Sequence, residues 1–277
     1  MAGHRASAAN SATLSRGMPA EATFRPPVQS GKLVSISIVS HLHGPLVHDL
    51  LQDIARHCSD IEVLLTINVE ETLRFDPAGL AFPLRIIRNA APRGFGANHN
   101  AAFREASGGY FCVLNPDIRL DADPFPALIE ALAQEKVGVV APKVVNSEGE
   151  IEDNARRFPT LSVVLRKALS GEQHHDYEIA DQPLHPDWVA GMFMLLRSAV
   201  FRQAGGFDER YFLYYEDVDL CLRLRRFGYG ALLEPRAQAR HDARRASHSD
   251  VLHLLWHIRS LARFFLIRRR KGNSRLV

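Results

Sequence analysis

The chain has 277 residues, 46% of them hydrophobic, and a formal net charge of +3. That suits one large packed α/β domain, or a domain with a small appendage. Three scattered cysteines, Cys58, Cys112 and Cys221, exclude a zinc motif and a disulfide framework and point to a reducing, cytoplasmic home, and no run of ~18 uncharged apolar residues is present to span a bilayer.

Residues 1–31, rich in Ala, Ser, Pro and Arg, lack the apolar core of a signal peptide and read as a disordered arm. The β-branched, apolar run over 33–40 predicts a buried parallel strand, and Gly44-Pro45 a turn. Apolar residues at helical spacing follow over 46–57. Strands are expected over 61–67, 84–87, 110–114 and 137–141, with helices over 98–106 and 125–134 between them. Such alternation with short links is the pattern of a mostly parallel sheet covered by helices on both faces. Ligands in such sheets bind beyond the carboxyl ends of strands, here Ser40-His41 and Asn115-Pro116-Asp117.

From 146 to 186 the pattern weakens into an irregular, lid-like region with a short helix near 161–169. A strand is expected over 188–197, helices over 198–204 and 218–227, and a last strand over 229–233. Residues 251–267 are amphipathic. Leu254, Ile258, Leu261, Ala262 and Phe265 share one helical face, and His253, His257, Arg259, Ser260 and Arg263 the other, before the basic run 268–271. From Arg236 onward eleven Lys/Arg stand against two Asp/Glu, a local +9 on a body of −6. A basic end of this kind expects an anionic neighbour. No nucleic-acid motif accompanies it, so nucleic acid is not the expected partner. Two readings stay open: peripheral attachment to the inner face of the cytoplasmic membrane, or a helix packed on the body.

Carboxylates concentrate in two places. Asp117, on a turn after an apolar strand, is a candidate ligand for Mg²⁺ or Mn²⁺, with Asn115 beside it; His241 is a candidate second ligand. Tyr215-Glu216-Asp217-Val218-Asp219 opens a helix after an aromatic stretch. Acids there gain from the helix dipole whatever their role, and at the edge of a dry cleft one of them can serve as general base. The Gly-rich turn Arg93-Gly94-Phe95-Gly96 runs into a helix whose start can face a phosphate.

Taken in order, Arg93-Gly94-Phe95-Gly96-Ala97-Asn98-His99-Asn100, Leu114-Asn115-Pro116-Asp117, Trp188-Val189-Ala190-Gly191, Gly205-Gly206-Phe207-Asp208-Glu209, Glu216-Asp217 and His241 resemble family 2 of the inverting glycosyltransferases, closest to its rhamnosyltransferase-like members. The resemblance covers about 33–247. It implies a GT-A fold over 32–247, followed by the basic segment 248–277. It also implies a nucleotide-sugar donor, with dTDP-rhamnose favoured, and a saccharide or lipid-linked saccharide acceptor. Asp117 and His241 would hold the metal and Asp217 would be the base. Glu216, Asp219 and Trp188 would lie near the acceptor. Ser40, Asn68, Arg93, Gly94, Asn98, Asn115 and Gly191 would line the donor site, with Gly191, Gly205 and Gly206 letting backbone approach the sugar. The family's Asp residues after the second strand are replaced here by Leu65-Thr66-Ile67-Asn68-Val69-Glu70-Glu71, which leaves the base of the nucleotide open. A sugar-nucleotide nucleotidyltransferase would want a Gly-rich basic loop after the first strand, and Ser40-His41-Leu42-His43-Gly44-Pro45 fits poorly. A catalytically inactive binding protein is the other alternative.

Overall fold

A computed structural model describes residues 34–73, 75–164, 175–241 and 251–271; the expected N-terminal arm and most of the expected helix over 161–169 lie outside them. The first half alternates as the hydrophobic pattern predicts: β1 (Val34–Ser40), α1 (Gly44–His57), β2 (Ile61–Ile67), β3 (Leu84–Arg88), α2 (Phe95–Glu105) and β4 (Tyr110–Leu114). There follow β5 (Ile118–Arg119), α3 (Phe125–Leu132), β6 (Val137–Val145), β7 (Ala155–Arg156), β8 (Trp188–Val189) and β9 (Phe193–Arg197). The chain then forms α4 (Ser198–Gln203), α5 (Glu216–Arg226), β10 (Gly230–His241) and α6 (Val251–Lys271).

The main sheet has eight strands in the order β3-β2-β1-β4-β9-β6-β10-β5. β3, β2, β1 and β4 run parallel, and β9 lies antiparallel between β4 and β6. Alternate side chains of each strand feed two cores. Ile36, Ile38 and Leu114 meet α1 and α3 on one face. Phe111, Val113 and Met194 meet α4 and α5 on the other. Toward α2, β1 presents Ser35 and Ser37 instead of apolar residues. Both are fully buried and both are satisfied, Ser35 Oγ donating to Glu62 (2.7 Å) and Ser37 Oγ pairing with His99 Nδ1 (2.8 Å), as buried polar groups require.

Two expectations change, and the packing of the C-terminal helix is defined. The run 188–197 is two strands, broken where Ala190, Gly191 and Met192 turn toward α5. The last strand does not stop near 233: it continues past Pro235 through a register shift between Glu234 and Gln238, a bulge that tolerates the missing N–H. α6 turns Ser260 and Arg263 of its polar face inward together with Leu261 and Phe265 of its apolar one, whereas Arg259 is exposed and Leu254 and Ile258 remain 59% and 53% exposed. The inward face wins because its residues find specific partners. Ser260 Oγ donates to the Leu213 carbonyl (2.8 Å) and Arg263 reaches Asp208 (3.4 Å), while Phe264 is buried among them.

Candidate active site

The register of the sheet edge builds the first half of the site. β5 pairs antiparallel with the end of β10, Ile118 opposite His241. Asp117, one residue earlier, therefore meets His241, with Oδ2 3.2 Å from Nε2. Burial by itself raises the Asp117 carboxyl. The hydrogen bond and charge of His241 outweigh it and hold the group below its ordinary value, so it stays anionic. Its Oδ1 is buried without a hydrogen-bond partner, which is the state of an oxygen awaiting a cation. Among the described residues no group of three or more His, Cys, Asp or Glu assembles as a metal site. The two side chains fit a divalent ion whose remaining ligands come from a phosphate-bearing substrate.

The second half comes from the break between β8 and β9. The Gly191 N–H donates to Asp217 Oδ2 (2.9 Å) and the Val218 N–H to Oδ1 (2.8 Å). These bonds orient the carboxylate at the N-terminus of α5, where the helix dipole favours its charge. A Cβ on Gly191 would sit 3.3 Å from the Phe95 ring and 3.5 Å from Asp217 Oδ2, so a side chain there would press on the carboxylate's support. Glu216, 4% exposed, sits beside it. Desolvation first, and then the adjacent Asp217 charge, push the Glu216 carboxyl well above its ordinary range. Desolvation also raises Asp217, against the two amides and the positive charge of Arg156. Asp117, Glu216 and Asp217 all line one cavity of about 1220 Å³, together with Arg93, Asn115 and Trp188.

The profile of glycosyl transferase family 2 matches residues 45–201. The chain belongs to glycosyl transferase family 2. It is 29% identical over 255 residues to the rhamnosyltransferase WbbL of Escherichia coli K12, covering 87% of this chain and 96% of that protein. It is 31% identical over 173 residues to the N-acetylglucosaminyl-diphospho-decaprenol L-rhamnosyltransferase of Mycobacterium tuberculosis, covering 58% of this chain and 55% of that one. The mannosyltransferase PcManGT from Pyrobaculum calidifontis, solved with GDP-Man and Mn²⁺, superposes with a TM-score of 0.58 at 18% identity, covering 88% of this chain and 65% of that chain. GalNAc-T7, solved with UDP, GalNAc and Mn²⁺, gives a TM-score of 0.59 at 15% identity, covering 77% and 44%. The chain thus spans less than two thirds of either solved protein. The fold is GT-A, and the protein is a glycosyltransferase of the hexosyltransferase class.

Not every residue expected in the transferase site faces the cavity. Asn68 is buried and its amide is fully engaged. Oδ1 accepts from the Arg93 N–H (2.8 Å) and from Asn89 (2.8 Å), and Nδ2 donates to the Arg93 carbonyl (3.0 Å) and contacts His41 (3.0 Å). Asn98 joins the same network through Asn89 (2.7 Å) and the Arg93 carbonyl (3.1 Å). These asparagines fix the backbone of Arg93, whose side chain does line the cavity. Gly94 serves close packing: an added Cβ would fall 2.5 Å from the Phe212 carbonyl oxygen. That carbonyl accepts the first amide of α2 (2.9 Å), so this N–H of the helix start is not offered to a phosphate.

Ser40 lies at the end of β1 but turns its hydroxyl to Glu71, which also accepts the Gly44 N–H (2.7 Å) and so caps α1. Asp219 points away from the cavity. It is ion-paired with Arg223 (2.7 Å), one turn along α5, because positions two apart on a helix face different sides. Gly205 and Gly206 sit at the end of α4 with φ of +78° and +67°. A Cβ on Gly206 would meet Asn100 at 2.5 Å; both glycines serve a turn and neither lines the cavity. Sequence reasoning missed Asn89 and Arg156. It also missed the contribution of α6, whose His253, Trp256, His257 and Leu261 line the cavity. Arg156 lies on a two-residue strand with no periodic signal, and its guanidinium stands over the Trp188 ring at 5.7 Å.

Proposed function

We propose that the protein moves a hexose, with inversion, from a nucleoside-diphosphate sugar to a saccharide or lipid-linked saccharide, with dTDP-rhamnose as the donor. The observation that carries this reading is the convergence of Asp117, whose carboxylate His241 contacts, and Glu216–Asp217 on one cavity, although about a hundred residues separate Asp117 from Glu216. The names of the two rhamnosyltransferase relatives favour the sugar, and the mycobacterial name favours an acceptor carried on a lipid diphosphate. Asp217 removes the proton from the acceptor hydroxyl as that oxygen attacks the anomeric carbon, and Gly191 and Val218 hold the carboxylate in line. Glu216 and Trp188 stand on the acceptor side; Arg93, Asn115 and Gly191 bound the donor. Asp117 and His241 would hold Mg²⁺ or Mn²⁺, which when bound neutralises charge building on the departing diphosphate. One displacement suffices, so no nucleophilic carboxylate is needed.

The outward apolar face of α6, Leu254, Leu255, Ile258 and Leu266, supports peripheral contact with the cytoplasmic leaflet, which would bring the cavity to a lipid-linked acceptor. No helix of the described residues is long and apolar enough to cross a membrane. The test of the main reading is nucleotide release from dTDP-rhamnose in the presence of Mn²⁺, with and without EDTA. Release that EDTA abolishes is the expected result. Release from other nucleotide sugars alone would overturn the donor, and release insensitive to EDTA the metal.

A further inference from the structure

The segment that presents the base is strained. Tyr214 and Tyr215 both have left-handed backbone conformations, with φ of +71° and +70°. Non-glycine residues adopt this region only at an energetic cost, so a pair in succession persists only where the surroundings impose it. Asp217 follows two residues later. Its geometry toward Gly191 therefore depends on how this turn delivers the start of α5.

α6 holds the segment at nearly every residue. Arg263 lies over the buried Tyr211 ring at 5.4 Å and pairs with Asp208. Trp256 packs against Phe212, the tilted rings 4.7 Å apart. Ser260, 4% exposed, donates to the Leu213 carbonyl at 2.8 Å. The Tyr214 hydroxyl and His253 Nδ1 share a hydrogen bond of 2.9 Å, and Tyr215 packs between His257 (5.3 Å) and Phe264 (5.8 Å). The Leu213 carbonyl is the last acceptor before the left-handed pair. A donor fixed on it restrains the entry to the turn, while the aromatic contacts restrain its side chains.

We propose that α6 is a clamp that keeps the Leu213–Tyr215 turn left-handed so that Asp217 meets the acceptor hydroxyl, with Ser260 as the positioning residue at its centre. This rests on the transferase reading, in which Asp217 is the base. The clamp uses only the inward face of α6, so it is independent of whether the outward face meets lipid.

Two full-length variants, Ser260→Ala and Ser260→Ala with Arg263→Gln, test it against an outward-face control, Leu255→Ser with Ile258→Ser. Amide hydrogen exchange over 212–217 is measured without any donor. It should quicken by ~10-fold or more in the inward variants and stay unchanged in the control. Steady-state kinetics with dTDP-rhamnose should then show kcat falling by ~10-fold or more while the donor KM holds, as expected when a reacting group is misplaced but the donor site is intact. Unchanged exchange over 212–217 overturns the clamp. So does quickened exchange with unaltered kcat, or equal quickening in the control, which would indicate general loosening. Should the wild-type protein fail to use dTDP-rhamnose, the donor assignment falls while the exchange result still decides the clamp.

Discussion

Asp217, the proposed base, carries two amide bonds that orient its carboxylate. Replacing it with Asn keeps the shape and removes the basic oxygen. Turnover should fall by at least ~10²-fold, with nucleotide affinity nearly unchanged in a fluorescence titration. Glu216 gives a separate, pH-dependent signature. Desolvation raises its folded-state pKa above the ordinary carboxylate value, so between the two values the folded state binds more protons than the unfolded one. Stability then falls as pH rises through that interval. Glu216→Gln cannot ionise, so its Tm should exceed that of the wild type in alkaline buffer, with the gap closing near pH 4. A constant gap from pH 4 to pH 9 would contradict this account.

At the level of elements, the site is held by short, specific contacts between segments distant in sequence. The asparagines 68, 89 and 98 lock the Arg93 backbone, and Gly94 lets the 212 region seat against the first turn of α2. Gly94 has φ −66° and ψ 161°, a conformation open to any residue. Its requirement is space, since a methyl would meet backbone that cannot rotate away. Gly94→Ala should cost about 1–3 kcal/mol, in line with overpacking, read as a lower midpoint in urea with an unchanged slope. It should also reduce kcat, because the displaced 212 region leads into the turn before Asp217, the proposed base.

The whole molecule is a two-faced sheet with its chemistry at one rim and α6 as part of the cavity wall. That helix keeps its aromatic and polar side for the protein and turns an aliphatic side outward. Full-length protein should float with anionic vesicles, and Leu255→Ser with Ile258→Ser should sharply reduce flotation at unchanged Tm, because the replaced side chains are exposed. Equal flotation of the two proteins would argue that the outward face does not touch lipid.

Hydrophobic periodicity and turn residues, which are local properties, determined the strand–helix alternation from 33 to 141 and the placing of Asp117 and Asp217 at an element's end and start. They could not settle what each polar side chain does. Ser40, Asn68, Asn98 and Asp219 stand in the right segments, yet their partners, Glu71, Arg93, Asn89 and Arg223, are fixed only when the elements pack. The same limit hid β5, two residues long, whose pairing with His241 is long-range and makes the Asp117–His241 contact. It hid the orientation of α6 as well. The helical period of 251–267 defines two faces, but which one turns inward depends on the carbonyls, aromatic rings and carboxylates waiting on the body, and only the tertiary structure supplies those.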